Sequence, residues 1–219
     1  MRDECPPDPL RARATRRPPG DPARSRRDVH AEPRQTGTVT DIEPARDVVV
    51  RDATVGDLPA LPAVEAAADA RYATSGHPEL ADGSTIPEEV AARAVERAQL
   101  AVATVDDVVV GWVYWGRVGD ELSIGQICVT PEYGRRGVGS ALLQCVLARA
   151  TAAGEPTVVL NTQSDVQWNR PWYERHGFFV VDELAWTDGM RAVTAAQSGD
   201  GLDWSSRVHM RLQLHGPLR

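Results

Sequence analysis

The 219-residue sequence contains no lysine, so all 24 of its basic residues are arginines. Chemistry that depends on a lysine amine, such as Schiff-base formation, is therefore excluded. Cysteine is also scarce. Cys5, Cys128 and Cys145 are too few and too far apart for a disulfide framework or a cysteine-rich metal site. We expect three free thiols and no bound metal.

Long apolar runs are missing as well. No segment approaches the roughly 20 apolar residues that span a bilayer, and the arginines near the N-terminus are not followed by the hydrophobic segment of a secretory signal. These absences predict a protein that is not inserted in a membrane and resides in the cytoplasm. Hydrophobic residues make up 42% of the chain, which is enough for a folded core.

Charge and proline divide the chain into two parts. Residues 1–46 hold ten arginines, eight acidic residues and eight of the sixteen prolines, whereas the remainder holds fourteen arginines and twenty-three acidic residues. A segment with so little to bury cannot offset the entropy of ordering. We therefore predict a disordered arginine- and proline-rich tail over residues 1–46 and one acidic domain over residues 47–219.

The pattern of residues 47–219 is that of a mixed α/β (α+β) fold. Runs rich in β-branched residues predict seven strands, with the sequences "DVVVRDA", "LAVATV", "VVVGWVYWGRV", "LSIGQICVT", "TVVLNT", "FFVVDELAW" and "SSRVHMRLQL". Apolar residues three or four apart predict four helices, with the sequences "AVEAAADARY", "EEVAARAVERAQ", "VGSALLQCVLARATAAG" and "RPWYERHG". Thr54 and Asp57 have the spacing of a capping box.

The segment "PEYGRRGVGSALL", residues 131–143, joins a predicted strand to a predicted helix through three glycines and two arginines. Glycines leave backbone N–H groups accessible at the positive end of a helix dipole, where a phosphate or pyrophosphate binds. A glycine needed only for a left-handed turn is the alternative. Without a lysine the loop is not a P-loop, and it does not follow the opening strand of a dinucleotide-binding unit.

The loop resembles the phosphate-binding loop of the GNAT superfamily of N-acetyltransferases, whose pattern is [QR]-x-x-G-x-[GA]. A second family feature, a tyrosine before Glu, a basic residue and Gly-Phe, occurs as "YERHGF" at residues 173–178. The resemblance covers residues 47–214, and "LNTQSDVQWNRPWYERHGF" resembles a branch with a "DVPWNxPFY" segment. Gly134 and Gly125 depart from it, standing where relatives carry Gln or Arg and a glutamate.

The resemblance implies a mainly antiparallel twisted sheet of about six to seven strands with about four helices, and acetyl-CoA as co-substrate. It places the pyrophosphate on the loop and the thioester at the strand before it. The implied cofactor-binding residues are Ile127, Cys128, Val129, Arg135, Arg136, Gly137, Val138, Gly139, Ser140 and Asn169.

The family's direct transfer to an amine implies a general acid and a base. Tyr173 resembles the general acid that protonates the departing thiolate. Period-two alternation puts Glu121 on one face of its strand with Ser123 and Gly125. The base is left open among Glu121, Glu65, Asp69, His77 and water.

The acceptor is predicted only by class. An acidic domain favours a small-molecule or peptide amine and makes nucleic acid an unexpected partner, while Trp168 and Trp172 either shape the acceptor pocket or fill the core. A homodimer is left open. Two other functions compete with this one: an inactive acyl-CoA sensor, and an acetyltransferase directed by its arginine tail to RNA or charged tRNA.

Overall fold

The computed structural model describes residues 48–214. The predicted tail therefore lies outside the described residues. The strands are β1 (Val49–Asp52), β2 (Leu100–Val105), β3 (Val108–Val118), β4 (Glu121–Val129), β5 (Thr157–Gln163), β6 (Phe179–Val180) and β7 (Arg207–Gln213). The α-helices are α1 (Leu61–Asp69), α2 (Glu88–Glu96), α3 (Val138–Ala152), α4 (Arg170–Glu174) and α5 (Asp188–Gly199).

The seven strands form one sheet in the order β1-β2-β3-β4-β5-β7-β6. Neighbouring strands are antiparallel except for β4 and β5, which are parallel. The register between β3 and β4 shifts between Tyr114 and Trp115, which is a β-bulge. This mixed, mainly antiparallel sheet confirms the predicted fold class.

Helices cover both faces of the sheet. Strand β2 is buried along its whole length, and its alternate residues serve different layers. Ala101 and Ala103 pack in the cluster with α3, whereas Leu100 and Val102 pack in the cluster with α1 and α2. Strand β5 alternates in the same way, since Val158 belongs to the α3 cluster and Val159 packs with Met190 of α5. Helix α5 therefore lies on the face opposite α3.

The structure differs from the sequence-based prediction at two element boundaries and in one additional helix. The strand predicted for "FFVVDELAW" is two residues long, because Asp182 accepts a hydrogen bond from the N–H of Leu184 and starts a short 3₁₀ turn at Glu183–Ala185. Helix α2 stops at Glu96, and Ala98 just beyond it has a φ of 51°. Helix α5 was not predicted, and it makes five helices where four were expected.

In the described part of the chain, residues 48–214, no helix combines the length and apolar character that a bilayer crossing requires.

The predicted capping box is confirmed at the first turn after β1. The Asp57 carboxylate accepts hydrogen bonds from the N–H and the hydroxyl of Thr54 at 2.7 and 2.8 Å. Both terminal nitrogens of Arg51 also donate to it, each at 2.8 Å. The Arg51 guanidinium, followed by the Thr54 donors, holds the pKa of the Asp57 carboxyl well below its usual range.

We predict that Asp57→Asn lowers the free energy of unfolding by about 1–3 kcal/mol at neutral pH, since four hydrogen bonds to a buried carboxylate are weakened. Because the folded pKa is depressed, the stabilisation is present above the unfolded value near 3.9 and is lost as pH falls below it. Urea unfolding of both proteins at several pH values measures this. A stability gap that persists unchanged in acid would contradict the assignment.

Candidate active site

The central feature of the site is the point where β4 and β5 diverge. The two strands pair only at Leu122 with Val158 and Ser123 with Val159. Beyond these pairs β4 continues alongside β3, and β5 continues alongside β7. A cavity of about 510 Å³ occupies the gap, with residues 125–128 of β4 on one wall and residues 161–163 of β5 on another.

The backbone of β4 presents donors to this gap. Thr130 N–H donates to the carbonyl of Val110 in β3 at 2.9 Å. Since residues of an antiparallel strand alternate between facing the partner and facing away, Cys128 also faces β3, while Ile127 and Val129 turn their N–H groups toward the gap. The backbone N–H of Cys128, one of the implied cofactor-binding residues, therefore faces β3 and not the gap.

The Cys128 side chain lies in the cavity wall. It is 3% exposed, and its sulfur accepts a hydrogen bond from Gln126 Nε2 at 3.3 Å. The thiol is thus a packed part of the wall beneath the gap.

The glycine-rich loop lies outside the cavity, at the N-terminus of α3. Gly137 precedes the helix with a φ of 85°, and Arg135 has a φ of 60°. The first N–H groups of a helix, here those of residues 138–140, have no acceptor within it. A Cβ on Gly137 would meet no atom within 4 Å. The predicted loop geometry, with free donors and open space in front of them, fits a phosphate group.

The side chains of the loop take separate roles. Arg135 and Arg136 are exposed, and the Arg136 guanidinium lies 5.6 Å from the centre of the Tyr133 ring. His176 Nδ1 donates to the carbonyl of Trp172 at 2.8 Å, and its Nε2 lies within hydrogen-bond distance of the Ser140 hydroxyl, at 3.0 Å. Ser140 therefore offers a phosphate its backbone N–H, because its hydroxyl is engaged.

Tyr173 lines the cavity from α4. The carbonyl of Asn169 accepts hydrogen bonds from the N–H groups of Trp172 and Tyr173, which starts the helix. Among the described residues the Tyr173 hydroxyl has no hydrogen-bond partner. Burial, followed by the proximity of Tyr72 and Cys128, raises the pKa of Tyr173 above its ordinary value. The phenol therefore keeps its proton at physiological pH.

The Asn169 side chain is committed to the protein. Asn169 is 8% exposed, and its Nδ2 donates to the Tyr72 hydroxyl at 2.9 Å and to Gln163 Oε1 at 3.0 Å. These hydrogen bonds connect the turn after α1, which holds Tyr72, with β5 and the start of α4 around the cavity. A contact from Asn169 to the cofactor remains a prediction.

The structure places the candidate bases differently with respect to the cavity. Glu121 lies at the start of β4, where it forms an ion pair with Arg211 at 2.8 Å and accepts from Thr157. It does not line the described cavity. Glu65 is 1% exposed and accepts hydrogen bonds from Ile86 N–H and Gln126 Nε2, at 2.7 and 2.6 Å. Asp69 is the α1 carboxylate on the cavity wall.

The Tyr114 ring occupies the space beside Gly125. A Cβ on Gly125 would lie 2.6 Å from Cδ1 of Tyr114 on the neighbouring strand. No side chain fits there while the Tyr114 ring keeps its place. The wall of the gap is therefore built around an aromatic ring at this point, and the glutamate that the family resemblance implies here is absent.

His77 connects two loops at the cavity. Its Nε2 lies 2.9 Å from Asp165 Oδ1, and its Nδ1 lies 3.2 Å from Glu79 Oε1. With Asp165 contributing most, these carboxylates raise the pKa of His77 above its ordinary value. An imidazole with both nitrogens engaged in this way has no free nitrogen to accept a substrate proton.

The segment from α5 to β7 supplies a wall that the sequence did not predict. Its cavity-lining residues include Gln197, Asp200, Asp203, Ser206 and Arg207. Thr187 caps α5, and its hydroxyl accepts a hydrogen bond from Met190 N–H. The Thr187–Asp188 pair was the sequence signal that could have predicted the start of this helix. The cavity wall as a whole carries five carboxylates, from Asp69, Glu79, Asp82, Asp200 and Asp203, against the cations Arg207 and His77.

The two tryptophans of the segment before Tyr173 lie outside the cavity lining. Trp168 stacks on Arg71, whose guanidinium carbon is 4.2 Å from its ring. Trp172 packs against the α3 cluster and would contact a Cβ on Gly139 at 3.5 Å. Trp172 therefore packs against the glycine-rich loop at Gly139.

Comparison with known proteins shows which protein family and which solved structures this chain is similar to. Residues 96–180 match the acetyltransferase (GNAT) domain family. The fold resembles the PaiA N-acetyltransferase of Thermoplasma acidophilum, solved in complex with coenzyme A, with a TM-score of 0.59 and 17% sequence identity over 77% of this chain and 99% of that chain.

Two further structures share the fold. The ribosomal-protein-S18-alanine N-acetyltransferase of Escherichia coli has a TM-score of 0.51 and 18% identity, over 79% of this chain and 99% of that one. The N-acetylglutamate synthase of Neisseria gonorrhoeae, complexed with coenzyme A and N-acetyl-glutamate, has a TM-score of 0.57 and 17% identity, over 77% of this chain and 35% of that one.

Residues 96–180 thus match the acetyltransferase (GNAT) domain family, and the fold of the chain is similar to that of GNAT N-acetyltransferases. The predicted family resemblance is thereby confirmed. The match to a branch with a "DVPWNxPFY" segment stays a prediction.

Gly137→Val tests the loop. The backbone there is left-handed, so a β-branched residue distorts the turn, and we expect coenzyme A affinity to fall by at least about tenfold. Gly154→Val is the matched control, because Gly154 has a similar φ of 73° and open space at the other end of α3. Urea unfolding should show similar losses of stability in the two variants. Calorimetry should show a loss of coenzyme A affinity only in Gly137→Val. Unchanged affinity in Gly137→Val would overturn the loop assignment.

His77→Gln tests the connection between the two loops. Because the folded pKa is raised, the ion-pair stabilisation is full below the unfolded value of 6.5 and is lost as pH rises through the folded pKa. The stability gap between wild type and variant, measured by urea unfolding, should therefore narrow as pH rises. Asp165→Asn should show the same trend, and a gap independent of pH in both variants would refute the pairing.

Proposed function

We propose that this protein transfers the acetyl group of acetyl-CoA directly to an amine of a small molecule or peptide. The observation that carries the proposal is the gap between β4 and β5, which brings unpaired backbone donors, the Tyr173 hydroxyl and an acidic wall to one cavity. The coenzyme A complexes of structural relatives support the same co-substrate.

The co-substrate would be held by the loop and the strand edge. Acetyl-CoA supplies an acetyl group activated as a thioester. The N–H groups of residues 138–140 would bind its pyrophosphate with help from the helix dipole. The exposed side chains of Arg135 and Arg136 would add positive charge at the same place.

The strand edge would stabilise the charge that develops during transfer. As an amine adds to the carbonyl carbon, electron density moves onto the acetyl oxygen. The N–H groups of Ile127 and Val129 face the gap and would donate to that oxygen. Such fixed donors in a partly buried cavity need no reorganisation when the charge appears.

Proton transfers would complete the reaction. Tyr173 would give its phenolic proton to the sulfur as the carbon–sulfur bond breaks. Its raised pKa keeps the proton available, and burial disfavours a bare thiolate in the same cavity. Asp69, the α1 carboxylate on the wall, is our choice to accept the proton from the amine, directly or through water.

An inactive acyl-CoA sensor is the second candidate. The observation that favours it is the Tyr114 ring, which occupies the space beside Gly125, where the family resemblance leads us to expect a glutamate. An amine needs only to lose a proton before attack, so a less precisely placed base is sufficient. We therefore rank the enzyme first.

Tyr173→Phe separates the two functions. If the hydroxyl protonates the sulfur, the turnover number should fall by roughly a hundredfold while affinity for acetyl-CoA stays nearly constant. Release of free coenzyme A in the presence of a panel of amines measures turnover, and calorimetry measures affinity. A wild-type protein that binds acetyl-CoA but acetylates no amine would indicate the sensor.

Tyr133→Phe is the control for that variant. It removes the same hydroxyl from a tyrosine that does not line the cavity and keeps the ring on which Arg136 packs, so both turnover and affinity should stay at wild-type values. If Tyr173→Phe behaves like Tyr133→Phe in an active enzyme, the general-acid role is excluded.

A further inference from the structure

Two polar side chains at the end of α5 lack partners. Gln197 is 2% exposed, and neither its amide nitrogen nor its amide oxygen has a hydrogen-bond partner among the described residues. The Oδ2 atom of Asp200 is buried and unpartnered in the same way. The two residues are three apart, which places them on one side of the helix end. Both line the cavity.

The helix that carries them is fixed to the sheet. His209 of β7 is 3% exposed, and its Nε2 lies 3.1 Å from the Met190 carbonyl and 2.9 Å from the Thr194 hydroxyl, both in α5. Trp186 and Trp204 both pack on this histidine and contact each other, with ring centres 6.0 Å apart. Burial lowers the pKa of His209 to about 4, so the ring is neutral at physiological pH. Gln197 is therefore held in position at the cavity wall.

A buried amide without partners is costly. Leaving a buried donor or acceptor unsatisfied costs about 1–3 kcal/mol, and native structures keep few such groups. Here the unsatisfied amide faces a cavity, so a ligand in that cavity can supply its hydrogen bonds. The same holds for Asp200 Oδ2.

Other carboxylates of the wall have local partners. Asp82 accepts from the N–H and hydroxyl of Ser84, and Asp203 accepts from those of Ser205. Glu79 is paired with His77. Asp200 thus differs from these three in having a buried oxygen left for a ligand.

We infer that Gln197 and Asp200 form an acceptor subsite that binds an amide group and a second cationic group of the amine substrate. The inference rests on the proposed function, which assigns this cavity to the acceptor. A glutamine side chain offers one carbonyl and one NH₂ group, which match the N–H and C=O of an amide. Asp200 adds a carboxylate for a cation beside that amide.

The substrate class that satisfies both groups is the amide of a basic amino acid or the basic N-terminus of a peptide. A simple diamine supplies the cation but no carbonyl for the glutamine NH₂. An apolar amino-acid amide supplies the carbonyl but leaves Asp200 unpaired. A free amino acid places a carboxylate on a wall that already carries five acids.

Four compounds with one nucleophilic amine each test this choice. Argininamide has both the amide and the second cation, leucinamide lacks the cation, agmatine lacks the amide, and arginine has a carboxylate in place of the amide. Calorimetric titration into the full chain saturated with coenzyme A should give the highest affinity for argininamide, by about tenfold or more over each of the others.

Substitutions at Asp200 and Gln197 then test which residue causes the preference for argininamide. Asp200→Asn should weaken argininamide binding by about tenfold and leave leucinamide unchanged. Asp203→Asn removes the same charge from the same wall and serves as the matched control, with a change of no more than about twofold. Gln197→Met should weaken argininamide and leucinamide alike and leave agmatine unchanged.

Stability gives a second readout for Gln197. Replacing a buried, unsatisfied amide with an apolar side chain of similar volume should hold or raise the free energy of unfolding while acceptor affinity falls. A structural role for the amide predicts the opposite, a loss of stability with no change in selectivity.

The outcomes for the subsite and for the proposed function are distinct. Selective binding of argininamide that depends on Asp200, without acetyl transfer, would uphold the subsite and refute the enzyme. Acetyl transfer to all four compounds with equal kcat/KM would uphold the enzyme and overturn the subsite. Failure of every compound to bind, or equal effects of Asp200→Asn and Asp203→Asn, would also overturn it.

Discussion

The structure depends on the early separation of β4 from its parallel neighbour β5. Each strand already has a partner on its other edge, so the sheet stays intact while the inner edges part. Parting leaves backbone polar groups without strand partners, and such groups must find others. Tyr173 of α4 and the α5–β7 segment line the cavity in this opening, and the glycine-rich loop lies outside it at the N-terminus of α3.

Charges of opposite sign lie at two places in the site. The glycine-rich loop, outside the cavity, presents helix N–H groups and two exposed arginines, which suit an anion. The cavity wall presents carboxylates from α1, from the loop after α1 and from the α5–β7 segment. Acidic residues of the domain therefore line the cavity in which a cationic acceptor would bind, which is separate from the loop that would bind a phosphate.

The sequence predicted the features that depend on local chemistry. Strand periodicity, the Thr54–Asp57 cap and the glycine loop follow from neighbouring residues, and the structure contains all three. The sequence did not predict which candidate bases line the cavity, because that depends on where β4 and β5 separate. Glu121 shares a strand face with the residues near the gap but lies at the paired end of β4, bound to Arg211. Helix α5 has too few apolar residues for a clear period.

The contact between Tyr114 and Gly125 has a consequence for how this protein can change. A carboxylate cannot enter at position 125 unless the aromatic ring on the adjacent strand first gives way, since the two would overlap at 2.6 Å. Neither replacement is useful alone, because losing the ring opens a void in a packed wall and gaining the carboxylate alone creates a clash. The two positions are therefore sterically coupled, and a side chain at residue 125 requires a smaller or displaced side chain at residue 114.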